Sequence, residues 1–152
     1  MANYKRVFLD GYSYFITVVT HRREHILLDN IDILRDSFRE SKRYYDYKIE
    51  SIVILPDHFH LIIKPKVSIE YPKIIKSIKY NFSKRYNGEE IEQSISRNRR
   101  GLRSIWQKRY YEHTIRDNDD YIRCLDYIYN NPVKHGYVFD VKDWKYSSFY
   151  SI

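Results

Sequence analysis

The sequence of 152 residues holds a single cysteine, Cys124. One thiol cannot make an internal disulfide, and it excludes the multi-cysteine clusters of structural zinc domains. Such sparse cysteine usage fits a reducing compartment. No run of about 18 apolar residues occurs, so no membrane-spanning helix is expected. The opening Met1-Ala2-Asn3-Tyr4-Lys5-Arg6 lacks the apolar stretch of a secretory signal. A cytoplasmic protein without a membrane partner is expected. Nor is any internal repeat visible.

What is present describes a folded chain: 43% apolar and 31% charged residues. The length suits one domain over residues 1–152. The formal net charge of +7 points to an anionic partner, although basic charge alone is a weak signal. The 17 tyrosines are more unusual. Tyrosine joins a flat face that stacks on bases to a phenol that can attack phosphorus or carbon. Most of them nonetheless belong to the core or its rim.

Periodicity predicts seven elements. Tyr12 to Thr20, aromatic and β-branched, reads as a strand. Asp29 or Asn30 can cap a helix in which Ile31, Leu34 and Phe38 recur at helical spacing. Tyr47 to Leu55 and His58 to Lys64 form an antiparallel hairpin around Pro56-Asp57. Pro72 suits the first turn of a helix carrying Ile74, Ile75, Ile78, Phe82 and Tyr86, closed by Asn87-Gly88. Glu89 to Ser104 reads as a mobile basic loop, and Trp106 to Ile115 as a fourth strand. Asp117 to Asp120 offers N-caps for a last helix, which Pro132 should end. The order β-α-β-β-α-β-α predicts an α+β fold, a ferredoxin-like antiparallel sheet with packed helices.

Two places carry chemistry. His58 and His60 are two apart on a strand, so both imidazoles face one side while Phe59 faces the other. Imidazole pairs bind divalent metals, yet an isolated His-x-His in a strand is more often incidental. The apolar flanks Ile52 to Leu55 and Leu61 to Ile63 put this pair in a central strand, where unpaired polar rings are costly. On the last helix Tyr121, Ile122, Cys124, Leu125, Ile128 and Tyr129 make one broad apolar face. Arg123, Tyr127 and Asn131 fall off it at i, i+4 and i+8. Tyr129 is then explained by packing, and Tyr127 is not. Asn131 can offer an oxygen to the metal the histidines hold, or simply cap the helix before Pro132.

Three segments carry a resemblance: Leu55-Pro56-Asp57-His58-Phe59-His60, Ile105 to His113, and Asp126 to Gly136 with its Tyr-Ile-Tyr-Asn-Asn-Pro-Val-Lys-His-Gly. Together with Asp143 to Phe149 they resemble the Y1 transposases of the HUH type. The likeness is greatest to REP-associated tyrosine transposases, relatives of the IS200/IS605 enzymes. It spans nearly the whole chain in order. The resemblance implies His58, His60 and Asn131 as metal ligands and Tyr127 as the nucleophile. Asn131, where the IS200/IS605 branch typically has Gln, favours the REP-associated branch. It further implies Mg²⁺ or Mn²⁺ and cleavage of single-stranded DNA beside a palindromic hairpin, by a monomer or a homodimer. The product would be a 5′-phosphotyrosine link and a free 3′-OH. A phenol titrates near 10 in water, so its activation would fall to the metal, Arg123 or Lys134.

Binding residues follow from charge and aromatic interleaving. Lys73, Lys76, Lys79, Lys84 and Arg85 stud one helix, a spacing usual for a solvated face. Arg97, Arg99, Arg100 and Arg103 crowd in the loop, a repulsive arrangement unless phosphates compensate it. Trp106, Tyr110 and Tyr111 alternate with Lys108 and Arg109, a pattern suited to stacking unpaired bases. A non-catalytic binder of structured DNA or RNA would share this surface without cleaving. A hydrolase of small phosphate compounds would explain the histidines but neither the loop nor Tyr127.

Overall fold

The computed structural model describes residues 11–87 and 105–148. Four strands form one antiparallel sheet: β1 (Tyr14–Val19), β2 (Tyr47–Ile54), β3 (His58–Pro65) and β4 (Tyr111–Thr114). Among the described residues three α-helices accompany them: α1 (Ile31–Lys42), α2 (Tyr71–Asn87) and α3 (Asn118–Lys134). The strands lie in the order β2-β3-β1-β4, every pair antiparallel. This is the expected α+β, ferredoxin-like arrangement.

Strand alternation sorts the side chains into two layers. Tyr14, Ile16, Val18, Ile52, Ile54, Phe59, Leu61 and Ile63 face one side and pack against Leu34 and Phe38 of α1 and Ile74, Ile75, Ile78 and Phe82 of α2. Each fully buried side chain of this size contributes about 1.5–3 kcal/mol. The opposite parity sends Phe15, Val53, Leu55 and Ile62 to a smaller core under Cys124 and Ile128 of α3. The sheet is therefore sandwiched, which is why β3 is buried at seven of its eight positions. His58 and His60 share the parity of Ile62, so they lie on the α3 side, while Phe59 belongs to the larger core.

Four sequence expectations need correction. Asn30 begins α1 but accepts no capping bond; its amide instead donates to the Ile26 carbonyl at 2.7 Å and closes the preceding turn. Ile122, expected on the apolar face of α3, is 46% exposed. The fourth strand is only four residues long. Trp106 touches the sheet through a separate bridge to Thr20, and the exposed Gln107, Lys108 and Arg109 intervene. Finally, Pro132 does not end α3, which runs on to Lys134. A proline in the last turn forfeits only one donor. The end is rebuilt by the amides of His135, Gly136 and Tyr137, which donate to Asn131, Val133 and Pro132. At the other end Asp117 caps the helix as expected, its side chain accepting from Asp120 N–H at 2.8 Å.

The segment after α3 returns to β2. Ile54 N–H donates to Tyr146, Ser148 N–H to Ile52, and Trp144 Nε1 to the Ile54 carbonyl, so the exposed edge of β2 is partly covered. Among the described residues no helix is long and apolar enough to cross a membrane.

Candidate functional site

On the α3 side the sheet is not fully covered. A cleft of about 570 Å³ opens there, lined by Phe15, Thr17, Val19, His58, His60, Tyr111 and His113 from the sheet and Asp120, Arg123, Cys124 and Tyr127 from α3. Arg23 and His135 complete the rim.

The two imidazoles are held by different partners. His58 Nδ1 lies 2.6 Å from Asp57 Oδ1, and Arg23 pairs with the other oxygen of that carboxylate at 3.2 Å. Arg23 reaches it from left-handed backbone (φ 53), a conformation that costs a side-chain-bearing residue about 1 kcal/mol or more. His60 Nδ1 bonds the Thr17 hydroxyl at 2.7 Å across the β1–β3 register. With both Nδ1 atoms engaged, Nε2 is the ring nitrogen each histidine can offer to a ligand.

Electrostatics keep that nitrogen unprotonated. Burial, then the charges of His58, His135, Lys134 and Arg23, push the His60 imidazole down to about 3. Burial also lowers His58, against the opposing pull of Asp57. Burial alone would raise Asp57, but its bonds and charge contacts with His58 and Arg23 bring it below the ordinary value. The sign of the linkage follows. Between pH 6.5 and about 3 the unfolded chain binds a proton at His60 that the folded chain refuses, so stability falls as pH falls. The expected slope is about 1.4 kcal/mol per pH unit for each such histidine. Urea midpoints measured from pH 7 to pH 4 should drop accordingly, and His60→Ala should flatten the slope by about one proton.

The helix meets this pair. The Tyr127 ring lies 5.1 Å from the His60 ring, edge-on, and also edge-on to Phe15 at 5.7 Å. The His135 ring lies 5.4 Å from that of His58. Asn131 sits one turn from each, so it is bracketed by the two contacts. It is 1% exposed and lies inside the helix, with His135 at the C-cap, which rules out the capping explanation. Neither Asn131 Oδ1 nor Nδ2 has a hydrogen-bond partner, and His60 Nε2 has none either. Orphaned buried polar atoms cost about 1–3 kcal/mol each. A divalent cation shared between His60 Nε2 and Asn131 Oδ1 would remove that cost for both acceptor atoms, and the mixed imidazole and carboxamide set suits Mn²⁺, Mg²⁺ or zinc chemically. The residues fit a metal.

Other expected residues are scattered. Arg123 lines the cleft, and Lys134 Nζ lies 5.2 Å over the ring of Tyr127. Tyr111 is 59% exposed and faces the same space. Trp106 is not available for base stacking. It is 4% exposed, wedged against Phe59 and Phe82, and its Nε1 donates to the Lys79 carbonyl. Tyr110 packs against the larger core beneath Lys79 and, with Lys108, lines a second cavity beside α2, away from the cleft. Arg109 is exposed. Arg85 is engaged with Asp36 and Glu40. Arg97, Arg99, Arg100 and Arg103, with the rest of the predicted loop, lie outside the described residues.

Sequence reasoning missed Thr17, Arg23, Asp57, His113, Asp120 and His135. Asp57 had a signal, since it adjoins the first histidine. Thr17 had none, because its partner is 43 positions away.

Comparison with known proteins agrees with this geometry. The family described as Transposase IS200 like matches residues 9–131. A REP-associated tyrosine transposase of Escherichia coli is 35% identical, with 99% of this chain and 84% of that protein aligned. A Haemophilus influenzae relative assigned to the same group is 41% identical over 99% of this chain and 86% of its own length. Among solved structures, a REP-associated tyrosine transposase bound to a REP hairpin superposes with a TM-score of 0.80 at 35% identity, covering 98% of this chain and 83% of that one. A structure from Deinococcus radiodurans assigned as a transposase shares the fold at 20% identity and a TM-score of 0.50, over 84% of this chain and 96% of its own. The chain belongs to the IS200-like transposase family, in the group of REP-associated tyrosine transposases.

Proposed function

We propose that this transposase nicks and rejoins single-stranded DNA beside a palindromic hairpin, with Tyr127 as nucleophile, and does so in the cytoplasm. The observation that carries the reading is the contact of the half-exposed Tyr127 ring with His60, whose Nε2 is buried without a partner, as are the side-chain polar atoms of Asn131 one turn further along α3. A phosphodiester is anionic and repels nucleophiles, so its cleavage needs charge neutralisation. His58, His60 and Asn131 would hold Mg²⁺ or Mn²⁺, which when bound polarises the scissile phosphate as a Lewis acid. Asp57 and Thr17 fix both imidazoles so that Nε2 is presented without rotamer search.

The Tyr127 oxygen then attacks phosphorus. A new O–P bond forms, the P–O3′ bond breaks, and the phenolic proton is released as the departing 3′-oxygen is protonated. The 5′-phosphotyrosine retains a phosphodiester, so attack by another 3′-OH restores Tyr127 and joins a new end. Arg123 and Arg23 supply positive charge at the cleft and Lys134 over the Tyr127 ring, and Tyr111 presents an exposed ring for an unpaired base. The hairpin assignment rests on the related protein solved with a REP hairpin. Tyr127 and both histidines line one cleft of a single chain, which supports cleavage by a monomer.

The test uses end-labelled hairpin DNA with a single-stranded flank. With Mn²⁺ a protein–DNA adduct that resists denaturation should appear, and chelation should abolish it while hairpin binding persists. Binding with no adduct in any divalent metal would make the protein a non-catalytic binder of structured nucleic acid.

A further inference from the structure

At the far end of the same cleft, three metal-binding side chains converge that the proposed reaction does not use. His113 comes from β4, and Asp120 and Cys124 from successive turns of α3. Their ligand atoms all lie within 4.8 Å of one another. We propose that His113, Asp120 and Cys124 form a second divalent-cation site, of zinc type, that ties β4 to the first turns of the helix carrying Tyr127.

The geometry needs little adjustment. His113 Nε2 is 2.9 Å from both Asp120 oxygens, and Cys124 Sγ is 4.0 Å from Asp120 Oδ1. Tetrahedral zinc, with bonds of roughly 2.0–2.3 Å, separates its ligands by about 3.3–3.8 Å. All three side chains line the cleft, which leaves a fourth position for water or a phosphate oxygen. The carboxylate is already oriented: Arg116 N–H donates to Asp120 Oδ2 at 3.0 Å, and the Asp117 cap holds the Asp120 backbone. Such supporting bonds fix a ligand before metal arrives.

The chemistry separates this site from the one at His58. A thiolate selects zinc or cobalt, whereas an imidazole and carboxamide set accepts harder ions. Burial, with Asp120, pushes the Cys124 thiol up to about 11, so loading must release a proton from it to solvent. The competing explanation is an ordinary ion pair, His113 with Asp120, beside an inert thiol. Arg123 Nη2, 3.8 Å from Asp120 Oδ1, already supplies one cation there; it is 71% exposed and can swing away.

Cobalt titration decides between them, because Cys124 is the only cysteine in the chain. Any thiolate-to-cobalt absorption band reports on this site alone. Metal-free, reduced full-length protein should develop that band within two equivalents of Co²⁺, one of them filling the site at His58 and His60, and lose it on adding Zn²⁺. His60→Ala should keep the band, which separates this proposal from the transposase chemistry. Cys124→Ser and His113→Asn should each abolish it, and zinc should raise the melting temperature of His60→Ala but not of the double variant His60→Ala/Cys124→Ser. No band in the wild type overturns the proposal. So does a band that survives His113→Asn, since it would come from cobalt on the thiol alone.

Discussion

Tyr127→Phe is expected to form no denaturation-resistant DNA adduct and to cleave at least about 10³-fold more slowly, while hairpin affinity changes little. The substitution removes one oxygen and leaves the ring. The contacts of that ring with His60, Phe15 and Lys134 Nζ survive, so the helix keeps its place on the sheet. Tyr127 is 43% exposed, and a change at such a position typically moves stability by less than about 0.5 kcal/mol. Loss of the adduct would therefore report on chemistry rather than on folding. Tyr111 is the necessary control, because it is the other exposed tyrosine of the cleft, at 59%. Tyr111→Phe should retain the adduct. If the two results are exchanged, the nucleophile is on β4 and the role assigned to α3 is wrong.

Much of this site was readable from residue order because strand parity is a local rule. His58 and His60 had to share a face, and Phe59 had to oppose them. The flanking apolar runs correctly put the pair in an interior strand. What could not be read was which layer would cover which face. The amphipathic stripe of α3 says that Cys124 and Ile128 are buried, but not that they lie over Phe15 and Ile62. Asn131 was ambiguous for the same reason. At 100° per residue it trails Ile128 by only about 60°, close enough to be carried into the interface once the helix continues past Pro132. Trp106 shows the opposite failure. Its basic and aromatic neighbours look like a stacking surface in one dimension, yet the ladder breaks after it. Phe59 and Phe82, 47 and 24 positions upstream, then enclose the indole. The Thr17 bond to His60 depends on the β1–β3 register, a pairing that no local pattern encodes.

Asn131→Leu should separate stability from function more sharply than a change at any residue that lines the cleft. Leucine matches the branched shape of asparagine and carries no polar atoms. In the metal-free protein Asn131 buries an oxygen and an amide nitrogen without partners. Replacing both by carbon should raise unfolding free energy by about 1–2 kcal/mol, read from urea midpoints without added metal. The same change removes the metal ligand proposed on α3. Adduct formation should fall by about 100-fold or more, and most of the stabilisation that saturating Mn²⁺ gives the wild type should vanish, a term of about 2.7 kcal/mol at 100 times the dissociation constant. Asn131→Asp should invert the pattern. A buried carboxylate next to a proton-poor imidazole pair destabilises the metal-free chain, and Mn²⁺ should rescue it by more than it stabilises the wild type. Were Asn131→Leu less stable without metal and still active with it, Asn131 would be a packing residue, and the third ligand would have to come from elsewhere in the cleft. Asparagine at this buried position is costly to the empty fold, and that cost is the strongest physical reason to assign it to the metal.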